Sequence, residues 1–94
     1  MLGYEWDEEK NASNLEKHGI SFEEAIDIFD GPTLSQRTVR AGEIRDISFG
    51  LLGRSVVVTV IHTDRNGRTR IISARKASKS ERRLFHDHLK KAVG

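Results

Sequence analysis

The stretch S-V-V-V-T-V-I-H-T-D-R-N-G-R-T-R-I-I-S-A-R-K, residues 55–76, decides the fold. Its first eight residues are mostly β-branched and apolar, the composition of a strand covered on both faces. D-R-N-G follows, and Asn-Gly tolerates the positive φ that a tight hairpin turn requires. Arg68 to Lys76 then reads as the returning strand. Runs joined by so short a turn pair antiparallel, so a β-sheet lies at the centre of the molecule.

Toward the N-terminus, Glu43 to Gly50 reads as another strand, joined to the first by Leu51 to Arg54, and Thr33 to Val39 as a ragged edge strand. Further upstream the period becomes helical. Asp7 is an N-cap, Glu8 and Glu9 suit the positive end of a helix dipole, and Lys17, His18 and Gly19 close that helix. Ser21 to Glu24 is a capping box, after which Phe22, Ala25, Ile26 and Phe29 recur at helical spacing until Gly31-Pro32. Downstream of the hairpin, Ser78 to Glu81 is a second capping box. It opens a helix with Leu84, Phe85, His88, Leu89 and Ala92 on one stripe. The expectation is an α+β fold over residues 1–94, a single domain with two N-terminal helices, a four-stranded antiparallel sheet and a C-terminal helix.

Composition narrows the functional classes. The chain has no cysteine, which excludes disulfides and thiolate metal sites and suits a reducing cytoplasm. Its first ten residues, M-L-G-Y-E-W-D-E-E-K, are acidic where a secretory leader is basic, and no apolar run approaches the roughly 18 residues of a membrane span. A cytoplasmic protein without membrane contact is expected. The net charge of +2 conceals a split: residues 1–42 hold 4 Lys and Arg against 9 Asp and Glu, and residues 43–94 hold 12 against 5. Two solvated faces would give such a split, but so would a binding surface. The basic groups gather in R-I-I-S-A-R-K-A-S-K-S-E-R-R, residues 70–83, where only Glu81 opposes them. That concentration favours a polyanionic partner, nucleic acid first.

Alternation along a regular strand puts Arg70, Ile72 and Ala74 on one face and Ile71, Ser73 and Arg75 on the other. It also places Glu43, Arg45, Ile47 and Phe49 together. Glu43 and Arg45 thus begin an apolar row, at the rim of the core, either as a site or as an ordinary strand-end ion pair. Cleaving RNA without a metal requires a base for the 2′-hydroxyl, cations for the phosphorane and an acid for the leaving oxygen. Arginine suits the second task, because its planar fork holds two phosphate oxygens. Arg75, where strand meets helix, leads the candidates, with Lys76, Lys79, Arg82 and Arg83 as further RNA contacts. Glu43 is the candidate base. His62 serves either as acid or base or as an edge histidine, and Trp6 either stacks a base or packs beside a helix. His86 and His88 point to different helix faces and make a poor chelate, so neither a metal nor a cofactor is expected. Gly50 and Gly53 read as turn glycines without phosphate-loop spacing.

The runs Y-E-W-D-E-E-K (4–10), N-L-E-K-H-G-I-S-F-E-E-A (14–25), G-E-I-R (42–45) and R-I-I-S-A-R-K-A-S-K-S-E-R (70–82) closely resemble the BrnT toxins of bacterial type II toxin-antitoxin systems. The resemblance spans nearly the whole chain in the same order. It implies a RelE-like ribonuclease fold, RNA cleavage that shuts down translation, and a heteromeric complex with a BrnA-type antitoxin that also binds operator DNA. By position it carries over Glu43, Arg45, Arg70 and Arg75, with Trp6 as a weaker match. Phe85 stands where the family usually has a tyrosine, and the linker T-L-S-Q-R-T-V-R-A before Glu43 lacks the acidic, histidine-containing run common there. A non-catalytic subunit that only binds nucleic acid or docks an antitoxin is the alternative, and it would bind RNA without cutting it.

Overall fold

The computed structural model describes residues 3–93, in the order β1 (Tyr4–Glu5), α1 (Glu8–His18), α2 (Phe22–Ala25), β2 (Thr33–Arg40), β3 (Glu43–Leu52), β4 (Val56–Arg65), β5 (Arg68–Lys76) and α3 (Lys79–Val93). The helix starts obey the local chemistry. Asp7 accepts the amides of Glu9 and Lys10, Gly19 closes α1 at φ 72°, and Ser21 and Glu24 form the reciprocal capping box of α2. The second helix is shorter than expected, since after one α-turn the chain tightens into a 3-10 segment, Ile26–Asp30. The tightening brings Ile28 onto the sheet, and a Cβ added to Gly50 would meet the Ile28 Cβ at 2.7 Å. Gly50 therefore lies inside β3, not in a turn, because close approach of the helical layer leaves no room for a side chain.

The sheet order is β1-β5-β4-β3-β2. β2 to β5 form the expected antiparallel meander, with tight turns at Ala41-Gly42 and Asn66-Gly67, all four residues at positive φ. The correction is a fifth strand: β1 pairs parallel to β5, matching Tyr4 with Thr69 and Glu5 with Arg70, so the sheet is mixed. Two residues show no alternation, and their pairing comes from an edge more than sixty residues away.

One sheet face carries α1 and α2 over Ile20, Phe22, Ala25, Ile28, Val58, Val60, Ile71 and Ala74. The other carries α3, whose Phe85 is fully buried with Phe49, Val57 and Ala77. A bulge in β5 opposite Ile61 and His62 leaves Ile72 outside the ladder. Plain alternation would separate Arg70 from Arg75. The extra residue resets the pleat, so Ile71 and Ala74 enter one core and both arginines point to the α3 side.

β1 ends at Glu5, and beyond it the exposed edge of β5 is completed by a side chain. Buried Asn14 of α1 donates to the Ala74 carbonyl at 2.7 Å and to the Ile20 carbonyl at 2.9 Å, and accepts the Ala74 amide at 3.1 Å. Among the described residues no helix is long and apolar enough to cross a membrane.

Two substitutions test this packing. Gly50→Ala should cost ~1–3 kcal/mol by forcing Ile28 away. Asn14→Ala should cost ~2–4 kcal/mol by stranding buried backbone groups. Urea midpoints measure both, and a loss below ~0.5 kcal/mol for either would contradict the contact assigned to it.

Candidate active site

α3 covers only part of its face, and the uncovered end is a cleft of about 390 Å³ lined by Lys10, Glu43, Arg45, Thr63, Asp64, Arg65, Arg70 and Ile72. Glu43 and Arg45 alternate at the start of β3 and so share a face. Thr63 of β4 sits across from Arg70 of β5, and its hydroxyl donates to the Ile44 carbonyl at 3.0 Å, tying β4 to β3 at the cleft floor. Lys10 reaches in from α1. Four cations face two carboxylates, so the cleft is net positive.

The ion pairs within it differ in kind. Arg45 Nη2 lies 3.5 Å from Glu43 Oε2, and the Glu43 side chain is 71% exposed. Such a pair is screened by water and contributes little, which leaves both groups available to a ligand. Arg70 is only 28% exposed and donates to Glu5 Oε2 at 2.9 Å, while the other Glu5 oxygen is 3.7 Å from Arg68. The parallel register of β1 sets that contact. Glu5 and Lys10 escaped the sequence reading, Glu5 because β1 has no pattern and Lys10 because it reads as the solvent face of a helix.

Arg75 lies on the same face but outside this cleft, five residues beyond Arg70, or roughly 15 Å along the strand. Its guanidinium holds Glu81 through two bonds, 2.7 and 2.9 Å. Glu81 also accepts the Thr59 hydroxyl at 3.0 Å and the Ser78 amide at 2.8 Å. The Ser78–Glu81 capping box is thus present, and its carboxylate additionally fastens α3 to the sheet. The Arg75 hydrogen bonds, helped by the Ser78 amide and the Thr59 hydroxyl against the effect of burial, hold the Glu81 carboxyl down at about 2. The guanidinium of Arg75 is raised by the same bonds.

The other candidates lie elsewhere. Lys76, Lys79, Arg82 and Arg83 are exposed around the start of α3, where Lys79 and Arg83 line a separate shallow depression. His62 belongs to the opposite face, with Nε2 2.7 Å from the Ser48 hydroxyl and its ring edge-on to Phe29. Burial lowers its pKa, opposed by Asp46, so the ring is neutral near pH 7. Trp6 packs edge-on to Phe22 and donates to Glu8 at 3.1 Å, away from the cleft. Among the described residues no group of three or more His, Asp or Glu is placed to hold a metal ion.

The protein is thus a small α+β domain with a net-positive cleft at the open end of its sheet, a surface electrostatically suited to a polyanion. The sequence model of the ribonuclease toxin BrnT of type II toxin-antitoxin systems matches residues 6–81, and the chain belongs to that family. The fold is similar to the crystal structure of the Brucella abortus ribonuclease toxin BrnT. The TM-score is 0.65 at 23% identity, over 84% of this chain and 100% of that one. No curated protein sequence matches the chain.

The Glu81 clamp predicts a pH signature. Its folded pKa of about 2 lies below the ordinary 4.5, so its stabilisation is complete above about 4.5 and is lost as pH falls toward 2. Glu81→Gln should therefore destabilise by ~1–3 kcal/mol at pH 7 and by much less near pH 2.5. Urea unfolding at both values measures this, and an equal loss at each pH would dismiss the carboxylate as the cause.

Proposed function

We propose that this toxin cleaves RNA without a metal ion, by a RelE-like route in which the 2′-hydroxyl attacks the adjacent phosphodiester. The observation that carries this reading is the cleft itself, where Arg45 and Arg70 flank the β4 strand and Glu43 stands beside Arg45. Glu43 takes the 2′-hydroxyl proton, the 2′-oxygen forms a bond to phosphorus, and the bond from phosphorus to the 5′-oxygen breaks. The leaving oxygen takes its proton from water, since neither His62 nor Lys79 lines the cleft. A 2′,3′-cyclic phosphate and a 5′-hydroxyl result. Arg45 and Arg70 hold the phosphorane oxygens, which gain charge in the transition state. Two carboxylates among four cations make a weak metal site, which supports catalysis by guanidinium instead.

Arg75 serves this scheme mainly as a positioning residue, because it reaches a flanking phosphate only by releasing Glu81. Lys76, Lys79, Arg82 and Arg83 extend the basic surface for RNA beyond Arg75. Cleavage of cellular RNA stops translation and growth. The neutralising partner is a BrnA-like antitoxin in a heteromeric complex, bound to operator DNA through the antitoxin. Glu5 on Arg70 shows how a carboxylate satisfies this cation, and an acidic antitoxin segment over the cleft would do the same.

A second reading has its own support: Arg70 and Arg75 each already hold a carboxylate, as expected of a surface that docks a protein without cutting RNA. Expression without antitoxin separates the two. The ribonuclease reading expects growth arrest and RNA fragments ending in cyclic phosphate, unaffected by EDTA in vitro. Arg70→Ala and Arg45→Ala should each lower cleavage ~10²–10³-fold with the fold intact. Intact RNA and normal growth would leave only the docking role.

A further inference from the structure

A second cavity of about 200 Å³ adjoins the cleft and shares Lys10 and Ile72 with it. The bulge that expels Ile72 from the ladder builds the common wall. Lys10, Ser13 and Lys17 recur three and four residues apart, so they form one stripe of α1 facing this space, with Ser73 across from them. Neither lysine has a carboxylate within 4.0 Å among the described residues, in contrast to Arg70 and Arg75. The Asn14 amide between them is fully engaged with backbone and offers nothing to a ligand. What remains is the His18 ring, the Ser13 and Ser73 hydroxyls and two free ammonium groups, the latter about 10 Å apart along α1. No Phe, Tyr or Trp lines either cavity; the one ring is the His18 imidazole beside Lys17, and stacking on it would be sequence-tolerant.

We propose that Lys10 and Lys17 form a phosphate track that carries the RNA strand leaving the cleft along α1. The proposal rests on the ribonuclease reading and assigns the flanking contacts chiefly to the two ammonium charges. The track therefore holds any base sequence equally, and its contribution weakens steeply with salt.

The test uses the full chain with Glu43→Gln to prevent cutting, and fluorescein-labelled single-stranded RNA 12-mers titrated by anisotropy from low to high NaCl. Adding Lys10→Gln and Lys17→Gln should weaken binding about ten-fold at moderate salt. It should also flatten the slope of log K against log salt by about 1.4, the value for two phosphates on a single strand. Lys10→Arg with Lys17→Arg should restore both, and oligomers of different flanking sequence should respond alike. Unchanged affinity and slope in the double glutamine protein, with its urea midpoint intact, would overturn the track while leaving the ribonuclease reading standing. Weakened binding of an acidic antitoxin peptide with RNA binding unaltered would overturn it too. Failure of the Glu43→Gln protein to bind RNA at all would remove both.

Discussion

One residue out of register organises this molecule. Where β5 passes opposite Ile61 and His62 it carries an extra residue, Ile72, that has no partner in the ladder. On either side of it the strand is regular. The insertion lets Ile71 and Ala74, three apart, share one core, and turns Arg70 and Arg75, five apart, to the opposite face. Without the bulge one arginine would face the apolar layer under α1 and α2, at a prohibitive desolvation cost. The same displaced Ile72 forms a wall of the cleft. Core and cationic surface are thus two consequences of one backbone irregularity.

The two arginines then divide the labour along their shared face. Arg75 meets the start of α3, and its paired bonds to Glu81 join strand, helix cap and Thr59 of the neighbouring strand in one network. That network fixes where α3 begins, and Phe85 in the core fixes where it lies. Because α3 is anchored there, the far end of the sheet stays bare, and the cleft exists where no helix covers it. Arg70 occupies that bare end, steadied by Glu5 from a strand of only two residues.

For a BrnT-family ribonuclease toxin the electrostatic arrangement is economical. The acidic N-terminal half sends one carboxylate, Glu5, across to the basic half, and keeps others local, such as Glu8 and Glu23 on Asn11. The positive potential is therefore not neutralised by folding. It is focused at the open cleft and along the start of α3.

Most of the elements, and the caps and turns that bound them, were legible in the chain itself. Asp7, Gly19, the two capping boxes and Asn66-Gly67 act on neighbours a few residues away, and each does in the structure what its local chemistry dictates. The rim position of Glu43 and Arg45 followed from strand alternation for the same reason. Three features were not legible: the β1 strand, the bulge at Ile72 and the pairing of Arg75 with Glu81. The first two are choices of register between segments, and no residue type encodes a register shift. The third was half visible, since Glu81 was read as a cap, but a carboxylate that caps a helix also attracts whatever cation the fold brings near. Sequence determined the helices, the four-strand meander, their order and the sign of the charge; only tertiary packing decided the β1 pairing and which cations are tied down and which stand open, because that depends on distances between segments the chain does not connect directly.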